Sequence, residues 1–268
     1  MRLLLNPRYR GLLIVAALAA VALAFHQTAC PELDGGTAAA ADDGPPSQPE
    51  FKCHWANAPL TIDGKADEPA WESAEVIDGF AAHWLDRPAR SATRARLLWD
   101  RDNLYFFAEM DDADLYADLT EHDAMTWLND VFELFFKPAE EKLGYYEFQV
   151  NAANTTMDMY LPSRGSGGYA RWAKAAPFHL ETAVSLRGTL DDWHDTDLGW
   201  SAEGRIPWSD FADAGGRPKA GSRWRASFCR YDYSVAFDSP DLSCTSPLTR
   251  GDFHRYEDYG WLRFVGAK

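Results

Sequence analysis

Two short apolar runs joined by a polar turn restrict this chain more than any other feature. Val131-Phe132-Glu133-Leu134-Phe135-Phe136 and Tyr145-Tyr146-Glu147-Phe148-Gln149-Val150-Asn151 are rich in β-branched and aromatic residues. Lys137 to Gly144 between them is charged and contains Pro138. Runs of this length and composition around such a turn predict a β-hairpin. In the second run a period of two puts Tyr146, Phe148 and Val150 on one face and Glu147, Gln149 and Asn151 on the other. Such a hairpin buries one face and presents rings, amides and carboxylates on the other. Pyranose rings stack their C–H faces on aromatics and pair their hydroxyls with such groups, so this surface suits a sugar better than a phosphate, a metal or a nucleic acid.

Short strand-like runs recur elsewhere, and long helical periodicity is missing. Pro59 to Trp71 (PLTIDGKADEPAW) reads as a short strand, a tight Asp63-Gly64 turn and one helical turn ending on a large aromatic. Ala95 to Trp99 and Leu104 to Met110 flank the polar turn Asp100-Arg101-Asp102-Asn103. Further strands are predicted at Thr156 to Leu161, Phe178 to Leu186, Gly199 to Pro207, Trp224 to Tyr233 and Tyr259 to Val265. Pro162 to Gly168 reads as a glycine-rich loop, and Trp208 to Ala212 as a short helix. The pattern predicts an all-β fold, an antiparallel, jelly-roll-like β-sandwich with short helical turns.

The first residues read differently. Arg2, Arg8 and Arg10 precede an unbroken apolar segment, Leu12 to Phe25. That segment is short of the ~20 residues a membrane-spanning helix needs, and its basic start and small-residue exit fit an export signal over residues 1–29. Ala29-Cys30 resembles the end of a bacterial lipoprotein signal, which would make Cys30 the lipidated first residue, although Gln27 stands where that pattern has an aliphatic side chain. An ordinary cleaved signal and an uncleaved anchor are the other two readings. All three export the remainder to the periplasm or cell surface, with membrane contact only through that terminus. Residues 31–50 are mostly Pro, Gly, Ala and acid, a flexible linker. The folded domain is predicted over residues 51–268 and expected to be monomeric.

The chain of 268 residues carries a formal net charge of -15, and its first 29 residues hold three Arg and no acid, leaving -18 on the rest. An acidic exported domain is a poor partner for nucleic acid or anionic membrane. Some of the acids are candidates for Ca2+, which takes oxygen ligands; Asp111, Asp112 and Asp114 are the closest-spaced set at a predicted strand end. With Cys30 lipidated, Cys53, Cys229 and Cys244 remain, enough for one disulfide and a free thiol. Cys229 and Cys244 lie on neighbouring predicted segments and are one candidate pair; a pair using Cys53 stays open.

Taken together, several landmarks resemble the family 9 carbohydrate-binding modules and the wider group of extracellular sugar- and haem-binding β-sandwiches. They are Ile62-Asp63-Gly64 with Glu68-Pro69-Ala70-Trp71, Leu98-Trp99-Asp100 with Asn103-Leu104-Tyr105, and Trp127 with Asp130 and Glu133. Phe148 with Val150-Asn151, Arg205-Ile206-Pro207-Trp208, Ser246-Pro247, Phe253-His254 and Tyr259-Gly260 follow in the expected order. The resemblance implies two antiparallel sheets, sugar binding without catalysis and structural Ca2+. It also implies a carbohydrate partner in polysaccharide capture or breakdown, with the sugar stacked between two rings. Trp127 and Glu133 match one aromatic platform and a hydrogen-bonding Glu. Phe253 stands where the second platform, a Trp, is expected, and Gln149 stands where an Arg is expected beside Val150-Asn151. The implied contacts are therefore Trp127, Glu133, Gln149, Asn151 and Phe253.

Two other functions share this fold. Haem-binding relatives use Met, His or Lys ligands, and Met110, Met125, Met157 and Met159 are available. A surface adhesion or assembly protein would keep the fold and lose the sugar. Enzymatic motifs are missing: there is no Gly-x-Ser-x-Gly elbow, P-loop or His-Glu-x-x-His. Asp130 and Glu133, at odd spacing, point to opposite faces of a strand and do not form a glycosidase pair.

Overall fold

The computed structural model describes residues 48–172 and 178–267. The export signal, Cys30 and nearly all of the predicted linker lie outside the described residues. In chain order, β1 (Glu50–Trp55), β2 (Ala81–Ala82), β3 (Arg87–Pro88), β4 (Thr93–Trp99) and β5 (Asn103–Asp111) come first. Then come β6 (Val131–Lys137), β7 (Tyr145–Asn151), β8 (Thr156–Leu161) and the one-turn helix α1 (Tyr169–Trp172). The last strands are β9 (Glu181–Arg187), β10 (Gly199–Pro207), β11 (Arg223–Asp232), β12 (Asp241–Cys244) and β13 (Gly260–Val265).

The strands form two packed layers. In one, β4, β5, β10 and β9 are antiparallel neighbours in that order. In the other, β8, β7, β6 and β11 are antiparallel neighbours. β11 has β6 along one edge, while β13 and then β12 share the opposite edge. β13 hands on to β1, and β1 to β4. Both of those contacts are parallel, a departure from the all-antiparallel expectation. The partners are far apart in sequence, so no turn signal marks them.

The core follows from strand alternation. Phe132, Leu134 and Phe136 of β6 and Tyr146, Phe148 and Val150 of β7 form one cluster with Leu97, Trp99, Leu104, Phe106 and Met110 of β4 and β5. Trp200, Ala202 and Ile206 of β10 complete it, and the Phe106 and Phe132 rings meet across the layers at 6.2 Å. The 3-10 segment Trp208–Ala214 sends Trp208 and Phe211 into the same cluster. In the turn between β6 and β7, Lys137 Nζ donates to the carbonyls of Ala139 (2.6 Å) and Lys142 (2.6 Å), closing it from below.

The segment predicted as a strand before Asp63 is not a strand. It is tied down by one side chain instead. Glu203, buried on β10, accepts from the Asp63 and Gly64 amides at 2.9 and 3.0 Å and from Trp71 Nε1 at 3.1 Å. Gly64 has φ +86°, and a Cβ there would sit 3.0 Å from the Val184 carbonyl carbon, so only glycine fits.

Phe136 touches Phe148, Phe211, Trp224 and Phe228, with ring centroids 5.8–6.3 Å away. Phe136→Ala should therefore destabilise the fold by about 3–5 kcal/mol, read as a lower urea midpoint with an unchanged m-value.

Candidate functional site

The outer face of β6, β7 and β8 is not open to solvent in the ordinary way: every residue of β6 and β7 is buried. Three loops roof it and leave a cavity of about 530 Å³. Its floor is Glu133 and Phe135 of β6, Tyr145, Glu147 and Gln149 of β7, and Met159 and Leu161 of β8. Trp127 forms one wall, Arg164 to Tyr169 another, and Gly251 to His254 the third. Trp127 lies on a 3-10 turn, Thr126–Leu128, half-buried, with its ring edge-on to Tyr169 at 5.0 Å. Its carbonyl accepts from Tyr233 Oη at 2.8 Å, which fixes the turn against β11.

A chain of polar groups crosses the floor. Thr126 Oγ1 donates to Gln149 Oε1, and Gln149 Nε2 donates to Glu147 Oε1 at 2.6 Å. Tyr145 Oη pairs with His254 Nδ1 at 2.9 Å, and that nitrogen is 3.9 Å from Glu147 Oε2. Glu147 Oε2 is buried and has no hydrogen-bond partner among the described residues. Burial raises the Glu133 carboxyl well above the usual range, and the Glu147 charge adds to it. Burial raises Glu147 as well, opposed by His254 and by the Gln149 hydrogen bond. The floor therefore offers paired oxygens, one amide and flanking rings, with its acceptors short of donors.

Four of the five predicted contacts, Trp127, Glu133, Gln149 and Phe253, line this one cavity. Phe253 is less open than a platform would be. It is 5% exposed and packs on Tyr231 (5.4 Å), Trp84 and Phe135. Asn151 is not among the lining residues. Its Oδ1 accepts from the Ala153 and Thr155 amides, and its Nδ2 donates to the Leu119 carbonyl and Asn129 Oδ1. It caps the turn after β7. Glu147, Tyr145, Tyr169, Arg164 and His254 also line the cavity. The alternation that puts Gln149 on the outer face puts Glu147 there too; the loop residues carry no comparable signal.

The acids proposed for Ca2+ part company. Asp111 is exposed and faces Arg187 at 3.6 Å. Asp114 Oδ2 accepts from the Val235 amide at 2.7 Å. Asp112 joins Asp130 and Asp232, their carboxylate oxygens within 4.8 Å of one another and all three buried. Arg230 lies against this triad, 3.0 Å from Asp112 and 3.5 Å from Asp232. Asp232 Oδ2 has no hydrogen-bond partner among the described residues, and one guanidinium leaves a formal excess of two negative charges. All-oxygen donors with that excess fit a divalent hard cation. Cys229 and Cys244 face each other across β11 and β12 as free, buried thiols.

The methionines considered for haem do not converge. Met110 is in the main core, Met125 is exposed, and Met157 and Met159 sit in the separate cluster beneath the cavity.

The family described as "Carbohydrate family 9 binding domain-like" matches residues 62–223. Endo-1,4-beta-xylanase A of Thermotoga neapolitana is 28% identical over 171 residues, 56% of this chain and 15% of that enzyme. Endo-1,4-beta-xylanase A of Thermotoga maritima is 31% identical over 130 residues, 47% of this chain and 11% of that enzyme. The chain thus matches only a small part of each curated relative. A carbohydrate-binding module of family 9 from Caldicellulosiruptor kristjanssonii, in complex with cellotriose, shares the fold at TM-score 0.56 and 15% identity, over 82% of this chain and 95% of its own. The all-β sandwich read from the sequence is the fold observed, with the two β1 contacts parallel rather than antiparallel, and the haem reading finds no support.

The Glu133 and Glu147 shifts have a signed consequence. Their folded pKa values lie above the unfolded ones, so the stability they contribute is full at pH below about 4 and falls as pH rises toward neutrality. Glu133→Gln should raise stability at pH 7.5 and flatten the plot of Tm against pH between 4 and 7.5. An unchanged pH profile would mean that burial does not raise the Glu133 carboxyl.

Proposed function

Because this chain belongs to the carbohydrate family 9 binding domain-like family, we propose that the Trp127 cavity is its sugar site and that it binds without catalysis. One observation carries the reading. A half-buried indole stands beside a floor of hydrogen-bonding groups in which Glu147 Oε2 is buried and unpartnered. Sugar hydroxyls supply donors for Glu133 and Glu147, the C–H face of the ring covers Trp127, and Gln149 orients the ring from beneath. Phe253 supports the site from the side as a packed ring. The named relatives, two xylanases and a module in complex with cellotriose, favour a β-1,4-linked glucan or xylan fragment as ligand.

Three further parts belong to this proposal. The domain is exported and tethered through the linker, with Cys30 the lipid attachment point, and holds glycan for partner enzymes. Ca2+ is structural and is held by Asp112, Asp130 and Asp232, beside Arg230. Cys229 and Cys244 bridge in an oxidising compartment.

Isothermal titration with cello- and xylo-oligosaccharides tests the site. Binding should be saturable and release no reducing ends, and Trp127→Ala should weaken it at least tenfold, about 1.4 kcal/mol or more. Silence across a broad glycan array would leave the adhesion or assembly role in its place. For calcium, chelation should lower Tm and Ca2+ should restore it, and Asp232→Asn should abolish the restoration.

A further inference from the structure

A second group of donors lies behind the Trp127 wall. His122 and Asp123 are consecutive in the segment leading to Trp127, and Asp158 is in the middle of β8. One donor atom from each lies within 4.8 Å of the others. The geometry points to a site for a divalent metal ion of the Zn2+ class, held by His122, Asp123 and Asp158 and fastening that segment to β8.

Two independent features support it beyond the cluster itself. First, Asp123 is 8% exposed, and its Oδ1 is buried with no hydrogen-bond partner among the described residues. A carboxylate left so is costly unless a cation or a donor meets it. Second, the imidazole is oriented for ligation. His122 Nδ1 pairs with Thr156 Oγ1 at 3.0 Å, and Nε2 lies 3.5 Å from Asp123 Oδ2. In the tautomer that donates Nδ1–H to the hydroxyl, Nε2 turns its lone pair toward Asp123, the orientation a metal ligand needs. A fixed second nitrogen is how ligating histidines are commonly held.

The chemistry narrows the ion. Two carboxylates and a neutral imidazole carry two negative charges, matched to a dication. One nitrogen and two oxygens suit Zn2+, whereas Ca2+ takes oxygen alone. Asp158 is 3% exposed. The segment is already registered on β8, because the Asp123 amide donates to the Thr156 carbonyl at 2.9 Å. The Asp123 carbonyl accepts from Tyr169 Oη, so the ion would brace the ring that Trp127 leans on. The site differs from the Asp112 triad in residues and in donor type.

The test uses the full chain, stripped with a chelator and titrated with Zn2+. One equivalent should bind and raise Tm by about 5 °C or more once Zn2+ exceeds its Kd 100-fold. The His122 side chain is 60% exposed, so His122→Ala should keep the metal-free Tm and lose at least tenfold in Zn2+ affinity. Asp158→Asn should lose binding altogether. Failure of the parent protein to bind one Zn2+, or equal Zn2+ affinity in His122→Ala, overturns the site. Ca2+ giving a larger shift than Zn2+ that His122→Ala removes would overturn the assigned metal class.

Discussion

The register between β6 and β7 is the constraint on which most of this molecule depends. Leu134 lies opposite Phe148 on the inner face, and Glu133 lies opposite Gln149 on the outer face. Because side chains alternate, a one-residue slip of β7 would drive Glu147 and Gln149 into the core and expose Tyr146, Phe148 and Val150, and a slip of β6 would do the same with Glu133 against Phe132, Leu134 and Phe136. The core is large enough to forbid that slip. The polar floor of the cavity is therefore not positioned by interactions of its own. It is the reverse side of a hydrophobic register that burial enforces.

That dependence explains how much could be read from sequence. The hairpin, its two faces and most strands follow from composition and a period of two, and β8 and β10 match their predicted ends. Trp127, Glu133, Gln149 and Phe253 come together because the first three are on or beside the hairpin and the last is on a loop the fold returns to it. Asn151 shares the strand phase of Gln149, yet it stands at the strand end, where a free amide caps a turn more readily than it reaches a ligand. The parallel placement of β1 and the roofing by Arg164, Tyr169 and His254 are tertiary facts with no local pattern. The acids show the same limit. Asp111, Asp112 and Asp114 are neighbours in sequence, but a strand end sends them to separate partners. Asp112 finds Asp130 and Asp232 instead, 18 and 120 positions further along the chain.

The buried carboxylates also differ in how fully they are satisfied. Glu203 and Glu147 are the same residue type, both buried, both on strands. Glu203 accepts three hydrogen bonds, from two backbone amides and an indole, and so locks the N-terminal segment to β10. Glu147 has one oxygen on Gln149, and the other has no hydrogen-bond partner among the described residues, with His254 Nδ1 3.9 Å away. An unmade hydrogen bond of this kind costs about 1–3 kcal/mol. Asp123 carries the same signature in the cluster with His122 and Asp158.

A fold with this many rings in one core could have replaced such a glutamate with an apolar side chain and gained stability. It keeps two glutamates on the cavity floor, with Glu147 adding to the burial cost of Glu133. Stability alone gives no reason for the pair, since neither carboxylate caps a turn or ties a segment as Glu203 does. A ligand rich in hydroxyl donors does give one. In the proposed sugar site such a ligand would meet both carboxylates while covering Trp127. The unpartnered Glu147 Oε2, more than the groups that are paired, is what favours this face for the proposed sugar site.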